Sequence, residues 1–183
     1  SKKQPYWRPG PNPTVDNVIT RDNPQTGQQE VLLIQRKPGT VEGGKWALPG
    51  GFHDSNAPKG KPWKPGRESA SQAALRELTE ETGLDASTLR RNMRQVGSYE
   101  GGGRDPRDNP EAWSRSTAFR LHLTPEMAQA AVAGQDDASD ARWFPVSELQ
   151  STPLAFDHGR ILQDAINKKP GRLSRLRSLG KRK

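Results

Sequence analysis

The order of apolar and polar positions lays out the elements of this chain. Residues 15–21 and 30–36 read as strands, joined by the turn chemistry of Asp22-Asn23-Pro24-Gln25-Thr26-Gly27. Val31-Leu32-Leu33-Ile34 is a continuous apolar run, the pattern of a strand covered on both faces. Residues 45–52 predict one short strand ended by the turn at Gly50-Gly51, and the proline-rich segment 55–65 predicts a loop. A helix follows. Ser69 and Gln72 fit a capping box and Gly83 a C-terminal stop. Ala73, Ala74 and Leu78 should then face a sheet while Glu77, Glu80 and Glu81 face outward. Residues 95–100, 116–123 and 141–144 read as further strands, 125–133 as a short helix, and a last helix runs from near Asp157 to before Pro170. Strands mixed with two or three helices predict an α/β layered domain.

Length and charge refine this picture. The 183 residues suffice for a single core. Residues 1–13, rich in Pro and Gly, read as an extended arm, 14–167 as the domain, and 168–183 as a disordered basic tail. The net charge of +8 is carried by that tail, whose eight Lys and Arg residues equal the whole excess. Nucleic-acid binding, if any, is therefore expected only through the tail. The absence of Cys excludes disulfides, thiolate catalysis and zinc–sulfur sites, and three His argue against a His-rich centre. No apolar run reaches the ~18 residues a membrane helix needs. The expectation is a soluble, cytoplasmic protein with no membrane partner.

The chemistry concentrates in Arg76-Glu77-Leu78-Thr79-Glu80-Glu81-Thr82-Gly83-Leu84. On a helix, Glu77, Glu80 and Glu81 stand at i, i+3 and i+4, so three carboxylates share one face and repel. A cation would reverse that cost. Oxygen-only ligands suit Mg²⁺ or Mn²⁺, which complete their shells with water and substrate phosphate. The plain alternative is a solvated acidic surface.

Gly51, Glu68 and residues 76–84 resemble the Nudix box of the Nudix hydrolases: Gly, five residues, Glu, seven residues, then Arg-Glu-apolar-x-Glu-Glu-x-Gly-apolar. Here sixteen residues, 52–67, stand between Gly51 and Glu68, and the excess coincides with the loop at 55–65. Loop-closure entropy grows only logarithmically, so such an insertion is tolerated. Outside the box, segments at 10–21, 45–52, 104–109 with Trp113, and 134–138 leading to Trp143 look like the ADP-ribose pyrophosphatase branch. Leu154-Ala155-Phe156-Asp157-His158 is similar to the end of bacterial ADP-ribose pyrophosphatases and their regulator relatives.

The resemblance implies a Nudix fold, an α/β/α sandwich with a mixed central sheet, and Mg²⁺-dependent hydrolysis of ADP-ribose to AMP and ribose 5-phosphate. It implies metal ligation by Glu77, Glu80, Glu81 and the Gly51 carbonyl, with Arg76 paired to Glu68 in a positioning role. The general base stays open between Glu80 or Glu81 and a later loop carrying Asp136, Asp137 and Asp140, of which Asp137 is taken as the catalytic candidate. For the substrate, Arg36 and Arg107 can clamp phosphates, Asp54 or Asp105 can accept ribose hydroxyls, and Trp46 and Phe52 can face adenine. Trp46 and Trp143 also read as core, and His158 as a cap or surface residue. Other readings are a hydrolase of other dinucleotides or nucleoside triphosphates, a sensor that binds ADP-ribose uncleaved, and RNA-end processing assisted by the tail. A homodimer is compatible, because many Nudix sites are completed by a second subunit.

Overall fold

The computed structural model describes residues 6, 8–85, 89–130 and 141–167. Seven strands form one mixed sheet: β1 (Gly10–Asp22), β2 (Gln29–Gln35), β3 (Trp46–Ala47), β4 (Gly50–Phe52), β5 (Arg94–Glu100), β6 (Ala112–His122) and β7 (Ala141–Pro145). Among the described residues the α-helices are α1 (Ala70–Thr82), α2 (Pro125–Ala130) and α3 (His158–Asn167). Strand β1 pairs in parallel with the whole of β6 through residues 10–20, and the other strand pairings are antiparallel.

Alternation along β1 decides what covers each face. Val15 and Ile19 pack with Leu32, Ala73, Ala74 and Leu78 beneath α1, while Val18 packs with Val31, Leu33, Ile161 and Leu162 beneath α3. Consecutive residues 31–33 are buried on opposite faces, as a doubly covered strand requires. The result is an α/β/α sandwich. Helix α1 starts and stops where its sequence dictates. Ser69 accepts from the Gln72 amide, Gln72 returns the bond to the Ser69 amide, and Gly83 closes the helix at φ 75°.

Residues 45–52 depart from the single strand expected. Strands β1 and β2 pair only at 20–22 with 29–31 and then splay apart. Two short strands fill the wedge: β3 joins β2, β4 joins β1, and the Pro49 carbonyl between them accepts from the Asn17 amide at 2.8 Å. Pro49 supplies no donor, so one continuous ladder could not pass through it. Strand β1 also begins at Gly10, earlier than expected, because Gly10–Pro13 lie in register with Ala112–Arg115. Helix α2 follows its expected range as far as Ala130. Residues 131–133, the candidates Asp136, Asp137 and Asp140, the tail 168–183 and residues 1–5 and 7 of the arm lie outside the described residues.

Candidate active site

The box residues meet at the splayed end of the sheet. Arg76 is the hub. Its Nε and Nη2 donate to the two oxygens of Glu68 at 2.7 and 3.1 Å, its Nη1 to Glu77 at 2.9 Å, and its Nη2 also to the Phe52 carbonyl at 3.2 Å. Phe52 precedes the insertion and Glu68 follows it, so one guanidinium pins both ends. Lengthening the connection from five residues to sixteen costs only about 1 kcal/mol of closure entropy. The bond from Arg76, followed by its charge, holds Glu68 below the usual carboxylate range despite partial burial, and Arg76 itself is raised.

The three glutamates do not all face outward. Glu80 is exposed and lies 3.6 Å from Arg76, whereas Glu77 and Glu81 turn toward β4. Glu81 accepts the Gly50 amide at 3.0 Å. Burial, then the charge of Glu77, push Glu81 well above the usual carboxylate range, and the Gly50 bond offsets only part of this. Glu77 is raised too, chiefly by burial, with Arg76 opposing.

Gly51 is required by close approach rather than by its backbone angle. A Cβ there would lie 2.5 Å from the Glu77 carboxylate carbon. Carboxylate and main chain therefore share a cradle that any side chain would fill. At Gly50 the obstacle is backbone: a Cβ would lie 2.1 Å from the Val15 carbonyl oxygen. Gly51→Ala should thus displace Glu77, a flexible end, and lower turnover on the order of a hundredfold at nearly unchanged melting temperature. Gly50→Ala should instead lower the melting temperature by disrupting the β1–β4 pairing. Thermal unfolding and steady-state kinetics on both variants check this contrast.

These groups border a cavity of about 240 Å³ lined by Asp16, Arg36, Gly50, Gly51, Phe52, Glu81, Arg104, Asp105, Arg107, Phe156 and His158, among others. A larger hollow of about 480 Å³ lies elsewhere, against Arg94, Arg120 and His122, and contains none of the box residues. Arg36 sits 4.7 Å over the Phe156 ring, and Phe156 holds a left-handed φ of 53° to place that ring. Burial, then repulsion from Arg107, lower Arg36 from its ordinary value. Arg36, Arg104 and Arg107 thus line one cavity together with the carboxylates of Asp16, Glu81 and Asp105.

Several expected residues have other employment. Asp105 is buried, and both its oxygens accept from Arg107, at 3.0 and 2.8 Å, which orients that guanidinium. Asp54 is exposed and 3.8 Å from Arg76. Trp46 packs edge-on against Phe144, ring centroids 4.8 Å apart, in the α3-side core and off the cavity wall. Phe52 stays on that wall, 42% exposed.

Three residues at the site were not anticipated as such. His158 is buried rather than on the surface: its Nδ1 accepts the Leu48 amide at 3.0 Å, which leaves the proton on Nε2, 3.2 Å from Asp16. Asp16 also accepts from the Ser116 hydroxyl and lies 3.7 Å from Arg104. Burial raises Asp16, but His158, Ser116 and Arg104 together outweigh it and hold it below its ordinary value. Arg104 makes a two-pronged pair with Asp157 at 2.9 and 2.8 Å. The one sequence signal was Asp16-Asn17 interrupting the apolar pattern of a strand otherwise destined for burial.

A divalent ion fits this setting. Among the described residues no three Asp, Glu or His side chains gather closely enough to hold a metal by themselves. The half-buried, mutually repelling Glu77 and Glu81 beside the Gly51 backbone nevertheless suit an ion that takes few protein carboxylates and fills its shell with water and phosphate.

Comparison with known proteins agrees with this geometry. A family model described as the NUDIX domain matches residues 10–165. The ADP-ribose pyrophosphatase of Methanocaldococcus jannaschii is 32% identical over 161 residues, covering 88% of this chain and 76% of that protein. The ADPR responsive transcriptional repressor NtrR of Acinetobacter baylyi is 31% identical over 158 residues, covering 86% of this chain but 54% of the repressor. Among solved structures, the NUDIX domain of Shewanella oneidensis NrtR complexed with ADP ribose aligns with a TM-score of 0.66 at 29% identity, covering 86% of this chain and 87% of that one.

Proposed function

Since this chain belongs to the Nudix family of hydrolases, we propose that it cleaves the diphosphate linkage of ADP-ribose, releasing AMP and ribose 5-phosphate. The observation that carries this reading is the pairing, in one cavity, of a cationic wall from Arg36 and Arg107 with an anionic floor from Glu81 and Asp16. The wall suits the oxygens of a diphosphate, and arginine forks match them in shape. The floor suits the divalent ion that such a substrate brings.

Glu77, Glu81 and the Gly51 carbonyl would hold Mg²⁺ or Mn²⁺, with Glu80 supporting. When bound, the ion neutralises diphosphate charge and lowers the pKa of water. The chain's own residues do the rest. Arg36 and Arg107 bind the diphosphate, and Arg76, itself held by Glu68, positions Glu77. A water oxygen bonds to one phosphorus as the bridging P–O bond breaks, and a carboxylate takes the water's proton. Glu81 is our choice of acceptor, since its half-buried carboxylate lines the cavity that the diphosphate would enter. Asp137 is the alternative. The proposal also keeps 14–167 as the catalytic unit and the tail 168–183 as the place where nucleic acid would bind.

Incubation with ADP-ribose and Mg²⁺ should release AMP, resolved by chromatography, and chelation should abolish the release. The similarity to an ADPR responsive repressor and to an ADP-ribose complex favours one second reading, a sensor that binds without cleaving. Saturable ADP-ribose binding with no AMP released would select it. Faster cleavage of another dinucleotide would change the substrate but keep the chemistry.

A further inference from the structure

The segment 55–65 is built rather than loose. Ser55 bridges to Pro65, the Asn56 amide donates to the Lys64 carbonyl at 3.0 Å, and the Ser55 hydroxyl accepts from the Ala57 and Lys64 amides, each at 3.1 Å. From across the sheet edge, the Arg8 guanidinium donates to the carbonyls of Ala57, Pro58 and Lys61. The Trp63 indole N–H donates to the His53 carbonyl at 3.2 Å, and its ring lies 5.1 Å from the His53 imidazole. Ala57 is the only core residue the segment supplies, so hydrogen bonds rather than apolar burial fix its shape. What that shape achieves is the placement of one indole.

Trp63 forms a wall of a second cavity, about 380 Å³, together with Phe52, His53, Asp54 and Asn12. This hollow adjoins the cavity of Glu81 and Arg107. Phe52 lines both, and Asn12 and Thr14, two residues apart on one face of β1, line one each. The first cavity is lined by charged side chains and, at about 240 Å³, is too small for the whole of ADP-ribose. The second presents aromatic faces, and Phe52 is the exposed large hydrophobic of the described residues. Flat apolar rings with polar edges are what such faces bind.

We infer that the insertion builds the nucleobase compartment of this enzyme, with Trp63 and Phe52 supplying the faces against which the base of the substrate stacks. The inference rests on the pyrophosphohydrolase reading for the identity of the ligand, and names which end of that ligand lies beyond Phe52. It gives the departure from the box spacing a purpose. The motif fixes the diphosphate chemistry, and the inserted loop sets what is attached to it.

The test uses the products as probes. AMP should quench tryptophan fluorescence saturably, whereas ribose 5-phosphate, which has no base, should not. With five Trp in the chain, Trp63→Phe identifies the reporter: the quench should disappear while AMP affinity, by calorimetry, stays within about threefold. Trp63→Ala should weaken AMP by about fivefold to a hundredfold, the range for base–aromatic stacking, and raise KM for ADP-ribose by a similar factor. Rescue by Phe separates stacking from folding. Unchanged AMP affinity in Trp63→Ala, or quenching by ribose 5-phosphate in place of AMP, overturns the compartment. Cleavage of ADP-ribose by a protein whose AMP affinity ignores Trp63 would leave the activity standing without it. Quenching by AMP through Trp63 in a protein that cleaves nothing would keep the compartment and remove the activity.

Discussion

Glu81→Gln should lower kcat/KM for ADP-ribose by about 10²–10⁴-fold, the range for a positioned acid–base group, and still yield a protein at least as stable as the parent. The two effects follow from one geometry. Glu81 is half-buried, accepts the Gly50 amide and faces Glu77 and Asp16, so its charge is costly and only partly compensated. The glutamine amide has nearly the same shape, and its oxygen can still accept from Gly50. What disappears is the charge, and with it the repulsion from Glu77. A carboxylate kept at a cost in stability is one retained for chemistry or for a cation. Thermal unfolding in chelator should therefore show Glu81→Gln melting at or above the parent temperature. Added Mg²⁺ should raise the parent's melting temperature more than the variant's. A variant that melts well below the parent would mean that Glu81 serves the fold, and its loss of turnover would no longer identify an active site.

What the sequence revealed divides along the same line as the hydrogen bonds, local against distant. Helix α1 was legible to the residue because its capping box and its Gly83 stop lie within one turn of its ends. The Glu68–Arg76 pair was legible because eight residues on one short path bring them together. The doubly covered β2 followed from four consecutive apolar residues. By contrast, residues 45–52 looked like one strand because nothing local says that β1 and β2 splay apart. His158 looked like a surface residue because its partners, Leu48 and Asp16, lie more than a hundred positions away. Trp46 and Asp105 are chemically suited to a ligand, and nothing local says that the first packs against Phe144 or that the second pairs with Arg107. Residue type gives capacity, and only the fold decides which capacities are already spent. The inserted loop shows the opposite case. Its composition reads as irregular, and it is irregular, yet Arg8 and Ser55 fasten its main chain by hydrogen bonds.

The same reasoning makes Arg104 the residue on which the architecture of the cavity depends. It leaves the glycine turn after β5, buries its side chain to 6% exposure, and joins Asp157 by two hydrogen bonds, with Ser114 and Asp16 within reach. That single cation ties the β5–β6 turn to the start of α3 and stands beside the Asp16–His158 pair. Arg104→Met fills a similar volume but leaves Asp157 and Asp16 facing one another without their counter-charge. Breaking a buried pair from one side costs about 3–5 kcal/mol, which in a domain of this size lowers the melting temperature by about 10 °C. Lysine should rescue little of this, because a point charge cannot reproduce a fork aimed at both oxygens of Asp157. Adding Asp157→Asn to Arg104→Met should recover part of the loss, since the second change removes the carboxylate that the first one stranded. Thermal and urea unfolding of the two single variants and the double variant measure that coupling. Losses that simply add would show the pair to be a surface ornament of the cavity, and Arg104 would lose its place as the strut between turn and helix.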